Sequence, residues 1–109
     1  MSKYRNIPTE LDGHRFDSKR EAARYTELKL LEQAGEIQHL KVHPRYEIIE
    51  GYFIGEEWIR PTYYEGDFEY FDGEAFVVED VKGGPETQLF RLKAKLFRKR
   101  YPQELRIVR

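Results

Sequence analysis

The sequence predicts an α/β fold, α+β in how its elements are grouped, with a mixed central sheet flanked by helices. Three observations predict it. Two stretches of helical periodicity, about 19–34 and 86–100, bracket a region of extended alternation from 37 to 82. A hairpin signal, Asp72-Gly73, lies inside that region. A short apolar run, Leu105-Arg106-Ile107-Val108, follows the second helix and adds one more strand. The predicted order is α-β-β-β-α-β in a single domain, 1–109, with no repeat, linker or low-complexity segment.

The first helix opens at Phe16-Asp17-Ser18-Lys19-Arg20-Glu21, where Ser18 and Glu21 have the S-x-x-E spacing of a capping box. Its apolar stripe is Ala22, Tyr25, Leu28 and Leu31, and Gly35 is a natural stop. Ile37, Leu40 and Val42 then read as extended, Pro44 marks a break or an edge, and Tyr46 to Ile49 continue the strand. The stretch Glu50 to Trp58, with Gly51 and Gly55, reads as a hairpin tip. Thr62 to Phe71 is predicted as one strand and Ala75 to Lys82 as its antiparallel partner. Gly83-Gly84-Pro85 ends the sheet run, and the helix of about Glu86 to Arg100 carries Leu89, Phe90, Leu92, Leu96 and Phe97 on a broad apolar face before Pro102 stops it.

Composition excludes several classes. There is no cysteine, hence no disulfide and no thiolate metal site. No apolar run nears the ~20 residues of a membrane span, and Met1 to Glu10 lacks the hydrophobic stretch of a signal peptide, so a cytoplasmic protein with no membrane partner is expected. Gly83-Gly84 lacks the Gly-Lys-Ser/Thr of a phosphate-cradling loop. His14, His39 and His43 show no ligand spacing, and no transition-metal site is expected from them. The net charge of −1 conceals a carboxylate-rich centre, from Arg45 to Asp80, beside a basic end from Arg91 onward. That asymmetry suits a site holding a metal and a phosphate backbone together, or simply a solvated charged surface.

Asp80-Val81-Lys82 ends the strand predicted most strongly, and period-two geometry puts Asp80 and Lys82 on one face, with Glu79 on the other. The same acid-x-Lys spacing at Asp17-Ser18-Lys19 and Glu27-Leu28-Lys29 falls at a helix start and inside a helix, where i and i+2 diverge. Asp67 lies in the partner strand, so a carboxylate from each strand converges on one divalent cation in this reading, and Lys82 orients a water or stabilises charge on a phosphate. The alternative for Asp80 and Lys82 is a surface ion pair.

Asp67, the Asp80-Val81-Lys82 triplet, Glu21 on the first helix and the α-β-β-β-α-β order resemble the PD-(D/E)XK nuclease superfamily, with its restriction-endonuclease-like core. More narrowly, Phe16-Asp17-Ser18-Lys19-Arg20-Glu21-Ala22, Gly66-Asp67-Phe68 and Val78-Glu79-Asp80-Val81-Lys82-Gly83 look like a family of small phage-encoded proteins related to Holliday junction resolvases. The resemblance implies a metal-dependent endonuclease acting on DNA, with four-way junctions or other branched DNA preferred. It also implies Mg²⁺ or Mn²⁺ held by Asp67, Asp80 and the Val81 carbonyl, with Lys82 assisting the attacking water and Glu21 completing the acidic cluster. Glu21 thus has two readings, catalytic acid and helix cap. Gly66 stands where the superfamily's name has Pro.

Arg91, Lys95 and Arg98 share a helix face, and the helix start near Thr87 and Gln88 follows the metal site, so these five are expected to contact DNA. Symmetric cutting of a four-way junction needs two active sites, so a homodimer is expected. The apolar stretch Tyr52 to Ile59 is core, a dimer contact or a stacking surface. The competing functions are a structure-independent phage endonuclease or nickase, a non-catalytic DNA-binding module on the same fold, and a phage interaction protein that blocks a host factor.

Overall fold

The computed structural model describes residues 7–109; part of the segment read for a leader, residues 1–6, lies outside them. The Asp72-Gly73 hairpin forms as expected: β8 (Phe68–Phe71) pairs antiparallel with β9 (Phe76–Val81), with Phe71 opposite Phe76. Asp72 Oδ1 accepts from the Glu74 and Ala75 N–H groups, and Gly73 takes φ +101°, which a side chain would strain. β3 (Gln38–Val42) adds antiparallel to β8, and β10 (Glu104–Val108) adds parallel to β9. The central sheet therefore runs β10-β9-β8-β3. With α1 (Lys19–Gln33) ahead of β3 and α2 (Gln88–Arg100) linking β9 to β10, the chain order through this sheet is αβββαβ.

The sheet is the middle layer between two cores. Val77 packs with Phe16, Ala22, Tyr25 and Leu28 on the α1 side, whereas its neighbour Val78 packs with Phe90, Ala94 and Phe97 on the α2 side, as strand alternation demands. Each helix has the ends its sequence encodes. Ser18 Oγ accepts from the Glu21 N–H at 3.1 Å. At the other end Gly35, with φ +80°, donates to Glu32 and Glu36 donates to Leu31, which is a Schellman stop. α2 begins at Gln88, two residues later than expected, because the Thr87 hydroxyl accepts from the Phe90 N–H and caps it there.

The expected strand Thr62–Phe71 is two strands. β7 (Thr62–Glu65) pairs with β4 (Arg45–Ile49), and β8 pairs with β3, so one long ladder is broken at His43-Pro44 on one side and Gly66-Asp67 on the other. Pro44 has no N–H to donate, and His43 takes φ +55°. In an unbroken strand Tyr64, Gly66, Phe68 and Tyr70 would share a face. Here Tyr64 enters the α2 core while Phe68 and Tyr70 enter the α1 core, so the strand rotates at the break.

Three further differences are local. β1 (Thr9–Leu11) and β2 (His14–Phe16) form an extra hairpin before α1, turned at Asp12-Gly13, both with positive φ. The expected hairpin tip is β5 (Tyr52–Ile54) paired with β6 (Glu57–Ile59), but its apolar side chains lie outside the core: Tyr52, Phe53, Ile54 and Trp58 are all at least 49% exposed. Leu89 and Leu92 are likewise exposed, and Ala94, not they, completes the buried face of α2.

Candidate functional site

Asp67 is held at the ladder break by three backbone hydrogen bonds. Its N–H donates to Glu79 O and its carbonyl accepts from the His43 N–H, both at 2.9 Å, while its Oδ2 accepts from the Val81 N–H at 2.6 Å. Gly66 makes this approach possible. A Cβ there would lie 2.7 Å from Cγ1 of the fully buried Val78, and the Gly66 N–H donates to Pro44 O, which a proline at 66 could not do.

Period-two geometry separates Glu79 from Asp80 as expected. Glu79, fully buried on the α1 side, accepts from Arg24 Nε and Nη2 at 2.8 and 2.7 Å and from the Tyr70 hydroxyl at 2.5 Å. It is a structural pair. Asp80 turns the other way: Oδ2 accepts from the buried Tyr64 hydroxyl at 2.7 Å, and Oδ1 stands 3.0 Å from Lys82 Nζ. The ammonium also lies 3.8 Å from the centre of the Phe90 ring. Burial, then the Asp80 charge, raises the pKa of Tyr64, so this phenol remains a donor to Asp80.

Glu21 is buried, and its carboxylate reaches Asp67 as well as His43, whose Nε2 is 3.3 Å from Oε1. The Ser18 hydroxyl caps α1 at the Glu21 backbone N–H, while the Glu21 side chain lines the cleft. Burial raises the pKa of Glu21, the Asp67 hydrogen bond opposes this, and the charges of Asp17 and Asp80 add to it. Asp67 is pushed up to about 8, first by burial and then by the Glu21 charge, against the pull of the Val81 N–H. Among the described residues no lysine or arginine bridges Glu21 or Asp67.

Glu21, Asp67, Asp80, Val81 and Lys82 all line one cleft of about 860 Å³, with Lys19, Arg20, Gly83 and Thr87. A second concavity of about 370 Å³ shares Asp80, Lys82 and Thr87 and is walled by Arg45, Tyr63, Phe90 and Lys93. Arg91, Lys95 and Arg98 are exposed on α2 but line neither hollow, nor does Gln88. Beside Lys82, the basic residues at the hollows are Lys19, Arg20, Arg45 and Lys93, none of them among the DNA-contacting residues expected from the sequence. For Lys19 and Arg20 the available signal was adjacency to Glu21 in the first turn of α1; for Arg45 and Lys93 there was none without the fold. His43, which shows no ligand spacing with the other histidines, stands beside Glu21 and Asp67, partners distant in sequence.

The family described as "Protein of unknown function (DUF1064)" matches residues 1–109. The chain belongs to the DUF1064 family. No curated protein and no solved structure matches it. What this DUF1064 site can do therefore rests on its own chemistry. Glu21 from α1, Asp67 from the ladder break and Asp80 from β9 meet Lys82 in an open cleft that Asp17, Glu65 and Lys19 also line, and the three carboxylates are a donor set that fits a hard divalent cation. No helix among the described residues is long and apolar enough to cross a membrane.

Proposed function

We propose that this DUF1064 protein is a divalent-metal-dependent endonuclease that cuts DNA, with four-way junctions or other branched DNA as its preferred substrate. The observation that carries the proposal is the convergence of Glu21, Asp67, Asp80 and Lys82 on one cleft, with Glu21 and Asp67 bridged by no lysine or arginine among the described residues. The αβββαβ order and the likeness to PD-(D/E)XK nucleases support the same chemistry.

Asp67, Asp80 and the Val81 carbonyl, with Glu21, would hold Mg²⁺ or Mn²⁺. The bound cation supplies charge stabilisation at the phosphate and a more acidic water. The chain's own residues prepare the site. The Val81 N–H fixes Asp67, and the Tyr64 hydroxyl fixes Asp80. Lys82, held between Asp80 and the Phe90 ring, presents a positive charge where a water and a phosphate oxygen would meet. Lys19 and Arg20 give the cleft a cationic rim for the DNA backbone, and the exposed Arg91, Lys95 and Arg98 extend that charge along α2. A homodimer would present two such clefts to a junction, with the exposed Tyr52–Ile59 hairpin as the contact. Light scattering should then give twice the chain mass, and a monomer with and without junction DNA would remove the dimer.

The test is cleavage of labelled four-way junction, duplex and single-stranded DNA in Mg²⁺ or Mn²⁺. The unmodified protein should cut the junction fastest, and Asp80→Asn and Lys82→Ala should bind it without cutting. Equal cutting of duplex would indicate a structure-independent endonuclease. Binding without cutting by the unmodified protein would indicate a non-catalytic module, and cutting by Asp80→Asn at the unmodified rate would overturn the site.

A further inference from the structure

His43 sits in the ladder break, ahead of Pro44, and its backbone N–H is bonded to the Asp67 carbonyl at 2.9 Å. This register brings its ring to Glu21 and Asp67, the two site acids that no lysine or arginine bridges among the described residues. Nε2 stands 3.3 Å from Glu21 Oε1, and one ligand atom each from Glu21, His43 and Asp67 all lie within 4.8 Å of one another. Adjacent donors on an octahedral or tetrahedral ion with bonds of 2.0–2.1 Å stand about 2.9–3.4 Å apart. His43 Nε2 and Glu21 Oε1, at 3.3 Å, already have that spacing, and the Asp67 ligand atom, within 4.8 Å, needs to close by at most about 2 Å. The ring is partly exposed, and its other contact is aromatic, with Phe16 at 5.7 Å between centroids.

We propose that His43 is a ligand of the cation held by Glu21 and Asp67, and that its nitrogen biases the site toward borderline ions such as Zn²⁺ or Co²⁺ relative to Mg²⁺. The proposal rests on the metal-site assignment above and adds a residue to it. Carboxylate and carbonyl oxygens alone suit Mg²⁺, whereas an imidazole nitrogen contributes more to a borderline ion than to a hard one. A simple His43–Glu21 ion pair would leave the cation preference untouched.

The experiment is calorimetric titration of the full chain with Zn²⁺ and, separately, with Mg²⁺, in the unmodified protein, His43→Asn and Asp67→Asn. Asparagine tolerates the left-handed backbone at position 43 but is too short to reach the ion. Zn²⁺ affinity should fall by about tenfold or more in His43→Asn. Mg²⁺ affinity should stay within about threefold, because the imidazole is the ligand this ion values least. Asp67→Asn should weaken both ions. A second measurement needs no variant: in ring-nitrogen NMR spectra of the unmodified protein, Zn²⁺ at one equivalent should shift the His43 signals and spare those of His14 and His39. An unchanged Zn²⁺-to-Mg²⁺ ratio in His43→Asn, or a His43 ring indifferent to Zn²⁺ that binds elsewhere, would overturn the ligand role and leave the metal site standing. If neither ion binds the unmodified protein, the metal site falls and the ligand role falls with it.

Discussion

Replacing Glu79 by glutamine should melt the protein well below its normal temperature while leaving the chemistry of the neighbouring Asp80 intact. Glu79 is fully buried and accepts three hydrogen bonds, two of them from the Arg24 guanidinium and one from Tyr70. Glutamine keeps the size but removes the charge, and it turns one acceptor into a donor facing Arg24 or Tyr70. Breaking a buried pair from one side costs about 3–5 kcal/mol. Arg24 is 22% exposed and keeps Glu27 at 2.9 Å, so the lower end, about 3 kcal/mol, applies. A domain of this size holds roughly 5–15 kcal/mol in total. The variant should therefore fold at room temperature and melt about 12–20 °C early, at ~4–7 °C per kcal/mol. Thermal melting followed by circular dichroism measures this, with a urea midpoint as the second reading. A melting temperature within about 3 °C of the unmodified protein's, less than 1 kcal/mol on the same scale, would show that the Arg24–Glu79–Tyr70 group does not hold α1 to the sheet. Loss of junction cutting by a fully folded Glu79→Gln would instead place Glu79 in the site.

Gly66→Ala should lower stability by about 1–3 kcal/mol, because its Cβ meets the buried Val78 at 2.7 Å; an unchanged urea midpoint would mean that Val78 yields without cost. Arg91/Lys95/Arg98→Ala should weaken DNA binding across sequences and flatten the slope of log K against log salt by about 0.9 for each phosphate no longer neutralised. An unchanged slope there, with a flattened one in Lys19/Arg20→Ala, would move the DNA to the α1 side of the cleft.

The features legible in the sequence are those with a local cause. Ser18 caps α1, Gly35 ends it, Asp72-Gly73 turns β8 into β9, and alternation along Val77, Val78, Glu79 and Asp80 assigns neighbours to opposite faces. The same alternation separates Glu79, buried against Arg24 and Tyr70, from Asp80, which lines the cleft, on the sequence alone. It misleads at Thr62–Phe71, where parity predicts one continuous face. The break there depends on a proline between two other strands, β3 and β4, and on a glycine whose need is set by Val78, both non-local facts. His43 is illegible for the same reason: its acidic partners are 22 and 24 residues away, and only the broken ladder brings them together. Apolar character misleads in a different way. Tyr52, Phe53, Ile54, Trp58, Leu89 and Leu92 look like core residues one at a time, but the two cores are already filled by side chains nearer the central sheet.

The break also accounts for where the cleft lies. β9 runs straight through the middle of the fold, sending Val77 and Glu79 to the α1 core and Val78 to the α2 core, with Asp80 facing Tyr64 on that second side. The β3–β4 and β7–β8 ladder cannot serve both cores without rotating, and it rotates at His43-Pro44 and Gly66-Asp67. At that level the regular side-chain packing is interrupted, and the residues there need not be apolar because neither core claims them. Asp67 and His43 occupy the interruption itself, Glu21 reaches it from the first turn of α1, and Asp80 and Lys82 reach it from the end of β9. A cluster of carboxylates is costly inside either core, but tolerable at the seam between them, where water, a cation or a phosphate can enter. The rotation that lets one ladder close two cores is thus the feature that makes room for the site.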